Sequence, residues 1–246
     1  MIRAIFFDLD DTLIRYDAAY EVALTASHTL LAGRHPHITR SELRKAIYAA
    51  YEKQFGYGTP GFADLGILSI RELRETLTGD ALRALRIEPE PDFVAALIET
   101  HESVERREIQ PFADTAKTLD ILAGSFPLGV ITNGPSAMQR GKLARLELTH
   151  RFPVIIVDSE FGHPKPDPRI FAHAAESIGG VPEELLFVGN SPEADVAGAV
   201  ASGWTSVWLN ADDAPLPAGI PEPHHIVRQL SELLTIQPVA SALRCD

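Results

Sequence analysis

The stretch Ala4-Ile5-Phe6-Phe7-Asp8-Leu9-Asp10-Asp11-Thr12 governs how the rest of the chain is read. An unbroken apolar run meets three aspartates within four positions. Apolar residues without alternation predict a short strand buried on both faces, as in a parallel sheet. Carboxylates clustered at its end are costly, because like charges repel and ionised groups resist desolvation. Something must offset them, and a bound metal ion is the simplest candidate. At positions i and i+2 of a strand end, Asp8 and Asp10 point the same way, while Asp11 points elsewhere. Thr12 adds a hydroxyl and an N–H suited to a phosphate oxygen. An isolated D-x-D pattern is as often a turn or helix cap; the apolar strand ahead of it shifts the balance.

Similar apolar runs recur at 127–132, 153–157, 185–188 and 205–209, ending at Asn133-Gly134, Asp158-Ser159, Gly189-Asn190 and Asn210. Helical periodicity covers 112–123, 137–148 and 167–178. A further helix is predicted over 192–202, with Ser191 as N-cap, Pro192 at its first position and Gly203 at its end. The alternation predicts an α/β fold: a Rossmann-like parallel sheet core flanked by helices. Ligands of such sheets bind outside the carboxyl ends of the strands, where these polar residues fall. Residues 14–108 differ, with helical patterns at 17–31, 39–53, 69–85 and 91–107 and a glycine-rich break at 55–66. The expected organisation is a core of 1–13 and 109–236, an inserted α-helical cap of 14–108, and a loose tail of 237–246.

Composition narrows the function. The 246 residues are 45% apolar and 23% charged, with a net charge of −12. That acidity argues against a nucleic-acid or anionic-membrane partner. Cys245 is the lone cysteine, so neither an intrachain disulfide nor a thiolate zinc cluster is available. Asp8 interrupts the first apolar run too early for a signal peptide, and a reducing cytoplasm fits.

Three more elements bear chemistry. Thr132-Asn133-Gly134 ends a buried run with small hydrogen-bonding groups suited to oxyanions, although Asn-Gly is also a common turn. Lys165 stands between Pro164 and Pro166, where restricted backbone suits a fixed cation. In Gly189-Asn190-Ser191-Pro192-Glu193-Ala194-Asp195, Asn190 and Asp195 offer oxygens to a hard cation. Arg140 and Lys142 read as solvated helix charges, and His163 as having at most a supporting role. In the 55–66 break, Phe55, Tyr57 and Phe62 suit either substrate contact or, preferably, packing beneath a loop.

Taken in order, D-x-D-x-T, Thr-Asn, the lysine and G-[D/N]-S-x-x-x-D resemble the haloacid dehalogenase-like (HAD) hydrolase superfamily. The inserted helices look like its C1 cap. The resemblance implies that Asp8 is the nucleophile that becomes an aspartyl-phosphate and Asp10 the general acid/base. It implies that Thr12, Thr132, Asn133 and Gly134 bind substrate and that Lys165 holds nucleophile and phosphate together. It also implies Mg2+ bound by Asp8, the Asp10 main-chain carbonyl, Asn190 and Asp195. Position 190 is often aspartate in the family; the amide here shifts the expected metal load toward Asp195. The acidic residue at position 10 favours phosphatase over dehalogenase, whose corresponding position is usually not acidic. The expectation is a Mg2+-dependent phosphatase of a small phosphorylated metabolite, a nucleoside monophosphate or sugar phosphate, acting as monomer or homodimer. A metal-independent 2-haloacid dehalogenase and a catalytically weak binding protein are the alternatives.

Overall fold

The computed structural model describes residues 1–243, and Cys245 lies outside them. Among these, six strands form one fully parallel sheet: β1 Ala4–Phe7, β2 Leu128–Thr132, β3 Val154–Val157, β4 Leu185–Gly189, β5 Thr205–Leu209 and β6 His225–Val227. Their order is β3-β2-β1-β4-β5-β6. The chain therefore builds outward from β1 on one side, then returns to lay β4 on its other side. That reversal is a topological switch point, and it places the end of β1 between β2 and β4, where sheets of this kind bind their ligands. All four residues of β1 are buried, as its unalternating pattern requires. Phe6 packs edge-on to Trp204 at 5.3 Å on one face, and Phe7 lies 6.4 Å from Phe152.

The chain divides into two compact units. The first holds residues 1–14, 111–134 and 139–246 and contains the sheet. The second holds 15–110 with 135–138. It is built from α1 Tyr16–Arg34, α2 Arg40–Phe55, α3 Ile70–Ala84 and α4 Pro91–Glu108, with a 3-10 stretch at Pro60–Gly66. Capping boxes start α2 (Thr39 with Glu42) and α3 (Ser69 with Glu72). Leu24, Leu31, Leu43, Leu82, Phe93 and Leu97 form its main core. Phe55 and Phe62 are buried in a second cluster with Leu65 and Leu73, which explains the glycine-rich break as a packed loop; Tyr57 stays exposed.

Around the sheet lie α5 Thr115–Ala123, α6 Ser136–Arg145, α7 Asp158–Phe161, α8 Pro168–Ile178 and α9 Ala197–Ala201, with α10 Val239–Ala242 near the C-terminus. The helix expected over 192–202 is two pieces: a wide π turn at Pro192–Val196 precedes α9. Ser191 caps it as read, accepting from the Ala194 N–H at 3.1 Å. The loose tail is corrected through residue 243: Val239 and Ala240 are buried and α10 packs beside Leu230–Leu234. Residues 244–246 of that expected tail lie outside the described residues. Strand β6 was not read from sequence, because three residues with Ile226 exposed carry no burial pattern.

Candidate active site

After Phe7 the chain leaves the sheet through a tight loop. The N–H groups of Leu13 and Ile14 both donate to the Leu9 carbonyl, at 3.0 and 3.2 Å. Asp11 takes a positive φ of 57° and its N–H donates to the Ile14 carbonyl, so it shapes the turn. Short polar residues tolerate that left-handed conformation best after glycine. The loop holds Asp8, Asp10 and Thr12 at the sheet's carboxyl edge.

Asp8 and Asp10 have separate cationic partners. Lys165 Nζ donates to Asp8 Oδ1 and to Asp195 Oδ1, each at 2.7 Å. All three groups are buried. Burial disfavours the Lys165 ammonium, but the carboxylates of Asp195 and Asp8 outweigh it and hold its pKa above the ordinary value. Asp8 shares this single lysine with a second carboxylate, and burial pushes it up to about 7. Asn133 fixes the lysine's backbone from both sides: its Nδ2 donates to the Lys165 carbonyl and its Oδ1 accepts from the Lys165 N–H, both at 2.9 Å.

Asp10 turns to Lys142, whose Nζ donates to Oδ1 at 2.9 Å and Oδ2 at 2.7 Å. Lys142 is buried, not solvated as its place on a polar helix suggested. Gln139, one turn earlier on α6, accepts from Lys142 at 2.8 Å and donates to Asp10 Oδ2 at 3.1 Å. The Gln139 amide also donates to the Thr132 hydroxyl at 2.6 Å and the Asn133 carbonyl at 3.0 Å. Buried Gln139 and Lys142 at i and i+3 share one helix face; that spacing beside a Thr-Asn strand end was the available signal for them.

The substrate-binding residues read from sequence divide. Thr132 keeps its own hydroxyl hydrogen for another acceptor, since it accepts from Gln139 and no described residue takes its proton. The Asn133 side chain is committed to Lys165. The Gly134 N–H is committed to Asp158 Oδ1 at 2.7 Å, so Gly134 serves the loop's shape. Asp158 also accepts from the Ser159 N–H at 2.7 Å, and burial pushes its carboxyl up to about 6 despite both bonds.

The metal-ligand set divides too. Thr12 Oγ lies 3.4 Å from Asp8 Oδ2 and 3.1 Å from Asn190 Oδ1, so these two oxygens face one small volume. Both carboxylate oxygens of Asp195 have protein partners. Its Oδ1 accepts from Lys165 and its Oδ2 from the Ser191 N–H at 2.9 Å. The π turn folds this carboxylate under the end of β4, where a Cβ on Gly189 would stand 2.2 Å from Asp195 Oδ2. Among the described residues no group of three or more His, Cys, Asp or Glu side chains forms a metal cluster. What converges beside Thr12 is one carboxylate, that of Asp8, and one amide, that of Asn190. Such a low-charge oxygen set fits Mg2+, which keeps much of its own water. Lys165 alone leaves Asp8 and Asp195 under-neutralised, and a cation at Asp8 Oδ2 would complete the balance.

Residues 2–203 match the haloacid dehalogenase-like hydrolase family. A glyceraldehyde 3-phosphate phosphatase of Methanopyrus kandleri is 30% identical over 87% of this chain and 91% of its own length. The pyrimidine 5'-nucleotidase YjjG of Escherichia coli is 28% identical over 93% of this chain and 95% of its own. Among solved structures, a 2-haloacid dehalogenase of Pseudomonas syringae superposes with a TM-score of 0.69 at 28% identity, covering 96% of this chain and 97% of that one. The parallel sheet, its switch point at β1 and this match over most of the chain agree: the protein is an enzyme belonging to the haloacid dehalogenase-like hydrolases.

Proposed function

We propose that the protein is a Mg2+-dependent phosphatase that hydrolyses a small phosphorylated metabolite, of the nucleoside monophosphate or sugar phosphate type, through an aspartyl-phosphate on Asp8. The observation that carries this reading is the pair of carboxylates at the end of β1, each with its own buried lysine. A dehalogenase has one carboxylate to serve; a phosphatase must serve two. The named activities of the relatives, on a triose phosphate and a pyrimidine nucleotide, supply the substrate class.

The Asp8 carboxylate attacks phosphorus as the ester P–O bond breaks. Lys165 neutralises Asp8 and the approaching phosphoryl group, which a carboxylate nucleophile requires. The Thr132 hydroxyl donates to a phosphoryl oxygen. Asp10 enters the step protonated, gives that proton to the departing alkoxide, becomes the carboxylate that Lys142 neutralises, and then takes a proton from the water that attacks the aspartyl-phosphate. Asp8, the Asp10 main-chain carbonyl and Asn190 would hold Mg2+, with Asp195 as the partner of Lys165. When bound, the ion supplies charge neutralisation between Asp8 and the phosphoryl oxygens.

The test is hydrolysis of p-nitrophenyl phosphate with and without Mg2+ by the wild type and Asp8→Asn. The expected result is Mg2+-dependent turnover that falls by about a thousandfold or more in the variant. Activity near wild type in Asp8→Asn would sink the nucleophile assignment. A metal-independent 2-haloacid dehalogenase is the second reading, favoured by the 28% identical dehalogenase structure and by Asn190. Halide release from 2-chloropropionate without metal, with no phosphate release under any condition, would establish it instead.

A further inference from the structure

We infer that Gln139 and Lys142 form a positioning clamp for Asp10, coupling the aim of its carboxylate to the hydroxyl that meets the phosphoryl group. This rests on the phosphatase reading and deepens it, since that reading uses Lys142 only as a counter-charge and gives Gln139 no role. Lys142 is buried, and an ammonium out of water needs counter-charge. Asp10 supplies it through both oxygens, at 2.9 and 2.7 Å. A surface lysine serving only solubility would show neither feature.

The two Asp10 oxygens are not equivalent. Oδ2 accepts from Lys142 and from Gln139, whereas among the described residues Oδ1 accepts from Lys142 alone. The clamp therefore leaves Oδ1 as the oxygen with open capacity, and it is the one presented to the leaving group. Gln139 adds the link: the same amide nitrogen touches Asp10 Oδ2, the Thr132 hydroxyl and the Asn133 carbonyl. A shift of the phosphoryl-binding loop is thereby carried to Asp10 through one side chain. A carboxylate held by one flexible side chain would lose this registration, and misplacement of a catalytic group by a fraction of an ångström is costly.

The test uses leaving groups. An alkyl phosphate needs protonation of its alkoxide as the ester bond breaks; p-nitrophenyl phosphate does not. kcat/KM reports events up to formation of the aspartyl-phosphate, before water attacks. For Lys142→Met, kcat/KM toward glycerol phosphate is expected to fall about a hundredfold, and toward p-nitrophenyl phosphate less than about tenfold. Gln139→Leu should move the ratio in the same direction by a smaller factor, and it carries the test if Lys142→Met does not fold. Lys142→Arg, which keeps the charge, should restore part of the ratio. Equal losses on both esters in both variants would overturn the inference, because Lys142 and Gln139 would then act on the phosphoryl group or on folding. Failure of the phosphatase reading looks different: the wild type would hydrolyse neither ester.

Discussion

Lys165 and Lys142 each hold one of the two carboxylates that end β1, but in unlike surroundings. Lys165 comes from a loop, and its ammonium is enclosed with two carboxylates, Asp8 and Asp195. Its backbone is fixed by Asn133, and the ring of Phe187 lies 5.0 Å from its amine. Lys142 comes from a helix and holds the Asp10 carboxylate, whose side chain is still 24% exposed. Lys165 is thus a buried counter-charge on which the fold itself depends. Lys142 is itself buried and aims a carboxylate that is still partly open to solvent. A nucleophile must be fixed and neutralised, whereas an acid/base must exchange protons with substrate and water, so the two environments suit the two tasks.

Replacing each lysine by methionine sets this contrast at its widest. Lys165→Met strands Asp8 and Asp195 together without counter-charge, and breaking such a buried network is expected to cost about 3 to 5 kcal/mol. Turnover should fall about a thousandfold. Lys142→Met leaves Asp10 able to regain water, so its stability loss should stay under about 2 kcal/mol. Urea denaturation of both variants decides the matter, and equal losses would erase the distinction.

Asp158 sharpens the comparison, because it is a buried carboxylate to which no lysine is paired among the described residues. Its folded pKa is raised from 3.8 to about 6, first by burial. The native state therefore binds more protons than the unfolded chain between these values. Stability falls as pH rises through that window, by roughly 3 kcal/mol in full, and stays low above it. Asp158→Asn keeps an acceptor for the Gly134 and Ser159 N–H groups and removes the charge. Denaturation at pH 4.5 and pH 7 should show a smaller difference in the variant than in the wild type. Some difference remains, because burial pushes Asp8 up to about 7 and it titrates over an overlapping range. An unchanged pH difference would remove Asp158 from the account.

The division of labour around Mg2+ is finer. If Asp195 is the partner of Lys165, Asp195→Asn lowers turnover about ten- to a hundredfold without changing the Mg2+ concentration for half-maximal activity. If Asn190 faces the ion, Asn190→Asp lowers that concentration roughly tenfold, by adding a carboxylate to a low-charge oxygen set. A metal titration of both variants tests both statements, and the reverse pattern would return Asp195 to the ion's ligands.

Much of this was legible in the chain before folding. Strand β1 was readable because burial on both faces leaves no alternation, and β2 to β5 repeat the pattern. Asp8, Asp10, Thr132 and Lys165 were readable because each sits where a strand or rigid loop must end. The commitments of Asn133, Gly134 and Asp195 were not, since a hydrogen bond across about 30 positions leaves no local trace. The π turn was hidden as well: Pro192 to Val196 has good helix-start chemistry, and only the need to fold Asp195 under Gly189 widens it. The burial of Lys142 and its bond to Asp10 were hidden, because a cation on a polar helix is solvated unless a remote carboxylate claims it.

Arg140 provides the smallest effect and the cleanest control for that last point. It lies two positions before Lys142 on α6, and both cations read alike as helix charges. Arg140 pairs with Glu160 through two hydrogen bonds, at 2.5 and 2.7 Å, but its side chain is 47% exposed. Water screens this pair, so geometry that looks stronger than that of Lys142 is worth less. Arg140→Gln should lower stability by less than about 1 kcal/mol and leave kcat/KM within about twofold on both esters. Thermal melts and the same aryl and alkyl phosphates give the measurement. If Arg140→Gln moved the alkyl-to-aryl ratio as Lys142→Met does, that ratio would be reporting the integrity of α6, and the special standing of Lys142 would fall with it.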